Sequence, residues 1–76
     1  MNMNIKIREK PIYTIVVYEG SVIIDDIEYE FFIDSGEGYA EIEWKGNTYV
    51  NASYILRDQL ASVEDEILKE FEKMKL

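Results

Sequence analysis

The chain has 76 residues with 16 acidic against 8 basic side chains, a net charge of −8, and contains neither histidine nor cysteine. This excludes a disulfide framework and the usual zinc, haem and iron–sulfur ligand sets, and argues against nucleic acid or an anionic membrane as a direct partner, since both need a basic footprint. With 47% apolar residues it is too hydrophobic for a disordered acidic tail, and its size suits one domain spanning residues 1–76.

Met3, Ile5 and Ile7 alternate with Asn4, Lys6 and Arg8, which predicts a half-buried strand over 3–8. Pro11 suits an edge or a junction, and the β-branched and aromatic run from Ile12 to Tyr18 predicts a second strand. Glu19-Gly20-Ser21 interrupts it, as a tight turn or as a bulge at Gly20, before Val22-Ile23-Ile24 resumes. Asp25-Asp26 reads as a hairpin turn, and Ile27, Tyr29, Phe31 and Ile33 then share one strand face while Glu28 and Glu30 take the other. After a turn at Asp34–Gly38, a strand over 39–44 sends Ala40, Ile42 and Trp44 inward and Glu41 and Glu43 outward. Lys45-Gly46-Asn47 reads as another hairpin turn and Thr48–Asn51 as a short last strand.

The remainder, about 53–75, is helical, because Leu56, Leu60, Val63, Ile67, Phe71 and Met74 recur at three and four residues. Ser62 followed by Val63-Glu64-Asp65 resembles a capping box, so the helix is either continuous or broken near Ala61-Ser62. The fold class is α+β, an antiparallel meander of four to five strands packed against one C-terminal helix. No apolar run approaches the roughly 20 residues that span a bilayer, and the N-terminus lacks a signal-peptide core, so a soluble cytoplasmic protein is expected. Glu, Ile and Lys are abundant beside a single Gln, a bias of thermophiles shared by low-GC bacteria and their phages.

Charge is distributed unevenly. Between Pro11 and Trp44 stand nine carboxylates (Glu19, Asp25, Asp26, Glu28, Glu30, Asp34, Glu37, Glu41 and Glu43) and no lysine or arginine. Two registers of the hairpin around Gly36 keep Tyr29 and Phe31 on the face of Ile42 and Trp44. In one, Glu30 faces Glu41 and Glu28 faces Glu43; in the other, Glu30 faces Glu43 and Phe32 faces Glu41. Either register opposes glutamates, at a cost of a few tenths of a kcal/mol per pair at a solvated surface. The bland reading is a Glu-rich solvent face that serves solubility and edge protection. The functional reading is a partner-binding surface of Glu28, Glu30, Glu41 and Glu43, flanked by Asp25, Asp26, Asp34 and Glu37, with Phe32 as an apolar anchor.

Catalysis is not expected. Without histidine or cysteine it would fall to carboxylates, tyrosines or lysines, and paired acids need a deep cleft that this chain can hardly build. Gly36 and Gly38 bracket Glu37 without the strand, turn and immediate helix of a phosphate cradle. The oxygen-rich segments Asp34–Glu37 and Glu64–Glu66 lack EF-hand spacing, so no metal or cofactor is assigned.

Two functions follow. The first is a binding module whose acidic face engages a basic protein surface, including that of a nucleic-acid-binding protein. In size and charge the chain resembles phage-encoded DNA-mimic inhibitors of the anti-CRISPR and anti-restriction kind, a resemblance that implies competition for a nucleic-acid-binding groove. The second is an assembly domain or accessory subunit acting as a homodimer or larger homo-oligomer, through Ile12, Val16, Ile23 and Phe32 on the face away from the helix.

Overall fold

The alternating apolar pattern folds as a four-stranded antiparallel meander in strand order 1-2-3-4 in the computed structural model, which describes residues 3–12, 15–36 and 39–75. The strands are β1 (Met3–Ile12), β2 (Ile15–Ile24), β3 (Ile27–Gly36) and β4 (Tyr39–Trp44). Two helices follow, α1 (Gly46–Leu56) and α2 (Leu60–Lys75), joined by one 3-10 turn over Arg57–Gln59. The architecture is α+β, a sheet covered on one face by a C-terminal helical segment.

That covered face holds the core. Val22, Ile24, Tyr29, Phe31, Ile33 and Trp44 come from the sheet, and Ala52, Leu56, Val63, Ile67 and Phe71 from the helices. Tyr18 of the sheet meets Phe71 of α2 edge-on at 4.7 Å between ring centres, and within the sheet Phe31 meets Trp44 of the neighbouring strand at 5.6 Å. Trp44 Nε1 also donates a 2.9 Å hydrogen bond to Glu64 Oε2, tying the end of β4 to α2. Leu56, Val63, Ile67 and Phe71 of the expected stripe are buried, Leu60 is half-buried, and Met74 is exposed.

Several boundaries differ from expectation. The run from Ile12 to Tyr18 is split, for Ile12 closes β1 and pairs with Ile15 at the start of β2. Uniform β-propensity across the run hid the reversal. Glu19-Gly20-Ser21 is neither turn nor bulge, since β2 passes straight through it with Gly20 paired to Ile7 and to Phe31. Glycine is required there by close approach: a Cβ would collide with the Lys6 carbonyl oxygen and press on the Phe31 ring. The Asp25-Asp26 turn does form, both residues taking left-handed φ of 51° and 68°, as a type I′ hairpin demands.

The expected hairpin at Lys45–Asn47 and strand at Thr48–Asn51 are both helical. Tyr49 N–H donates to the Lys45 carbonyl at 2.6 Å, closing the first turn of α1. Thr48, Ala52 and Leu56, four residues apart, put one side of this helix toward the core, and that burial outweighs the strand preference of Thr, Tyr and Val. The helical segment thus begins seven residues before the expected 53. It breaks at Arg57–Gln59, where Arg57 has φ 48°, and runs unbroken through Ala61-Ser62. Among the described residues no helix is long and apolar enough to cross a membrane.

Candidate functional site

The sheet face turned away from the helices carries the charged residues, and strand pairing arranges them in crosswise rows. Pairing extends one row from Lys6 on β1 through Ser21 to Glu30, next to Lys45 at the end of β4. A second runs from Arg8 through Glu19 and Phe32 to Glu43. A third runs from Asn4 through Ile23 to Glu28.

Neither anticipated register of the β3–β4 hairpin occurs. Ile33 pairs with Ile42, Phe32 with Glu43 and Asp34 with Glu41, two residues beyond the nearer expectation. All three registers keep the same residues on each face, because side chains alternate with a period of two, so the apolar pattern could not choose among them. The observed register removes the expected opposition of Glu28 and Glu30 to Glu41 and Glu43. Glu30 lies beside Lys45, whose Nζ is 3.8 Å from Glu30 Oε2 and whose backbone N–H donates to the Glu30 carbonyl at 3.1 Å. Glu28 sits past the end of β4 opposite Ile23 of β2, and the opposed acidic pair is Asp34 with Glu41.

The carboxylates remain on one side of the molecule all the same. Asp25, Asp26, Glu28, Glu30, Asp34, Glu41 and Glu43 are all exposed along β3, β4 and their leading turn. Glu37 lies outside the described residues. Phe32 is half-buried between Glu19 and Glu43 with the Lys45 ammonium 4.9 Å above its ring, so it is capped by a cation and not presented as a free apolar anchor.

Two basic side chains balance the opposite edge. Lys6 and Arg8 are exposed on β1, two strand spacings or about 10 Å from β3. Between them and the acids runs an open groove of about 300 Å³, with Ser21 on its floor and Glu28 and Glu30 on its far bank. Arg8 holds the buried Glu19 at 2.6 and 2.9 Å. The face is therefore bipolar, basic at β1 and acidic over β3 and β4.

No family model, curated protein or solved structure matches the chain. The site is accordingly read from its own chemistry. Among the described residues no three carboxylates are grouped to hold a metal ion. At the lower end of the core, burial pushes the Tyr29 phenol above its ordinary pKa and the Asp25 carboxylate adds to the effect.

Of the four residues that the sequence assigns to a homo-oligomer contact, the structure describes the side chains of two. Ile23 and Phe32 are half-buried on the outer face, and the side chains of Ile12 and Val16 lie outside the described residues. The large exposed apolar side chains gather on α1 instead, at Tyr49, Val50, Tyr54 and Ile55. Reading Thr48–Asn51 as a strand hid them. The signal was nevertheless present, since Asn47, Val50, Asn51 and Tyr54 stand at i, i+3, i+4 and i+7.

Proposed function

We propose that the protein is a non-catalytic binding module whose β3–β4 strip engages a linear basic surface on another protein, of the kind that grips a nucleic-acid strand. The observation that carries this reading is the exposed series from Asp25 to Glu43, seven carboxylates on two adjacent strands and the turn that leads into them. From Asp26 to Asp34 the strip is about 27 Å long at about 3.4 Å per residue. That span holds six of the carboxylates, Glu41 and Glu43 lying alongside Asp34 and Phe32, or one per about 4.5 Å, of the same order as the one phosphate per about 3.4 Å of helix axis on each strand of a DNA duplex. Lys45 interrupts the strip once, and the basic β1 edge bounds it, so a narrow groove on the partner fits better than a broad basic plain.

Such binding competes with nucleic acid and weakens with salt, because screening acts on exposed charges. The test is displacement of DNA or RNA from nucleic-acid-binding proteins of the same organism, across about 50 to 200 mM salt. Displacement at low salt that is abolished by Glu41→Lys with Glu43→Lys supports the strip. Equal loss from Asp65→Lys with Glu72→Lys, exposed on α2, would reduce the effect to net charge and sink the assignment.

A further inference from the structure

Strand order leaves β1 at one edge of the sheet, its 10 residues paired to β2 on one side only. The Lys6 carbonyl points at Gly20 of β2, and in an antiparallel ladder a residue turns both of its backbone groups the same way, alternating along the strand. Ile5, Ile7 and Glu9 therefore direct their N–H and C=O away from the sheet, and among the described residues no backbone hydrogen bond reaches them from that side. Pro11, at the same parity, has no N–H, so the free edge ends there. Beside this edge α2 builds a second wall. An open groove of about 480 Å³ lies between them, lined by Ile5, Lys6 and Ile7 of the strand and by Glu70, Lys73 and Met74 of the helix. Met74, the exposed end of the apolar helical stripe, stands 43% exposed in this groove.

We infer that the β1 edge takes an extended segment of another protein as a fifth strand, one in which apolar and acidic residues alternate. Neighbouring residues on adjacent strands share a face of the sheet. Those added beside Ile5 and Ile7 turn toward the groove and cover Met74, which suits apolar side chains. Those added beside Lys6 and Arg8 turn to the outer face, where acids meet two cations. Arg8 already holds Glu19 but remains largely in solvent, and Glu9, the single acid of β1, stands on the opposite face. Charge decides the occupant. A second β1, paired antiparallel about Ile7, would set Lys6 opposite Arg8 twice, and such edge cations bar like strands while admitting an acidic one. Backbone pairing supplies the affinity and the two rows of side chains the specificity. The edge is separate from the acidic strip on β3 and β4, so either can fail without the other.

Fluorescence anisotropy of a labelled Val-Glu-Val-Glu-Val peptide tests this, with protein up to about 1 mM in about 50 mM salt. Binding should saturate, and its absence would overturn the inference. Only alternate residues of an added strand face β1. Methylating the backbone nitrogens of the valines in one peptide and of the glutamates in another should therefore cost unequal affinity, about tenfold for the set that faces the edge. Equal affinities would mean that binding is not backbone pairing and would overturn it. This comparison does not depend on any variant folding. Lys6→Glu with Met74→Glu, both exposed positions, should weaken the unmethylated peptide by a similar factor, whereas Glu41→Lys with Glu43→Lys should not weaken it. Full affinity in the first variant would overturn the edge assignment while leaving the acidic-strip reading standing, since displacement of nucleic acid is read separately. Self-association of the chain alone that the peptide reverses, seen by sedimentation at about 1 mM, would give the edge to another copy and overturn the inference.

Discussion

Arg8 holds Glu19 across the β1–β2 pair, its Nε and Nη2 both donating to Glu19 Oε1 at 2.9 and 2.6 Å. The carboxylate is 6% exposed although it lies on the outer face of the sheet, whereas the guanidinium is largely in solvent. A buried carboxylate that loses two of its charge-assisted hydrogen bonds keeps its desolvation cost, and the solvent exposure of Arg8 moderates the loss. Arg8→Ala should therefore lower stability by about 1 to 2 kcal/mol, a fall of roughly 5 to 15 °C in Tm for a domain of this size. Combining it with Glu19→Val should recover much of that, because no buried charge is left behind. Thermal denaturation of the two variants checks the pair, and a wild-type Tm for Arg8→Ala would show that it contributes nothing.

Two glycines should respond in opposite ways to the same substitution. Gly20→Ala drives a methyl group against the Lys6 carbonyl and the Phe31 ring, and separating β1 from β2 to make room should cost about 2 kcal/mol or more. Gly46 opens α1 with nothing within 4 Å of the place a methyl group would take, so Gly46→Ala should stabilise by about 0.5 to 1 kcal/mol through lost freedom in the unfolded chain. Urea midpoints at constant m-value measure both. A neutral Gly20→Ala would mean that the Lys6 carbonyl does not press on β2.

Alkaline stability should depend on Tyr29. Its folded pKa is raised above the ordinary value of about 10, first by burial and then by the Asp25 carboxylate. The neutral phenol therefore contributes stability in full below pH about 10, and that contribution is lost as pH climbs through the folded pKa. Tyr29→Phe removes the titrating group, so its Tm should fall less than that of the wild type between pH about 9 and 11.5. Asp25→Asn should leave the onset in place and make the loss smaller, though without abolishing it, because burial is the larger cause and the carboxylate the smaller. Parallel declines in wild type and Tyr29→Phe would remove Tyr29 from the account.

How legible the site was depended on which interaction placed each residue. Glu28, Glu30, Asp34, Glu41 and Glu43 could be assigned to the outer face because Tyr29, Phe31, Ile33, Ile42 and Trp44 must face the core, and alternation does the rest. Which acid faces which could not, since registers that differ by two residues keep the same faces. The capping of Phe32 by Lys45 was equally hidden, because it needs the two-residue shift in register that carries Lys45 alongside Glu30. The exposed apolar side chains of α1 were missed for a different reason. Thr48, Tyr49 and Val50 favour strands locally, and only the burial of Ala52 and Leu56 against the sheet made that segment a helix.

By itself the sequence determined the fold class, the Asp25-Asp26 turn and the sorting of apolar from charged residues onto the two sheet faces. These follow from periodicity and local turn chemistry, which act between residues close in the chain. The tertiary structure decided the β3–β4 register, the joining of two expected strands through Gly20, the helical state of Thr48–Asn51 and the break at Arg57. Each of these rests on contacts between segments distant in sequence: Lys6 with Gly20, Glu30 with Lys45, Trp44 with Glu64. Local pattern leaves such contacts degenerate, and only close packing of the assembled layers separates the alternatives.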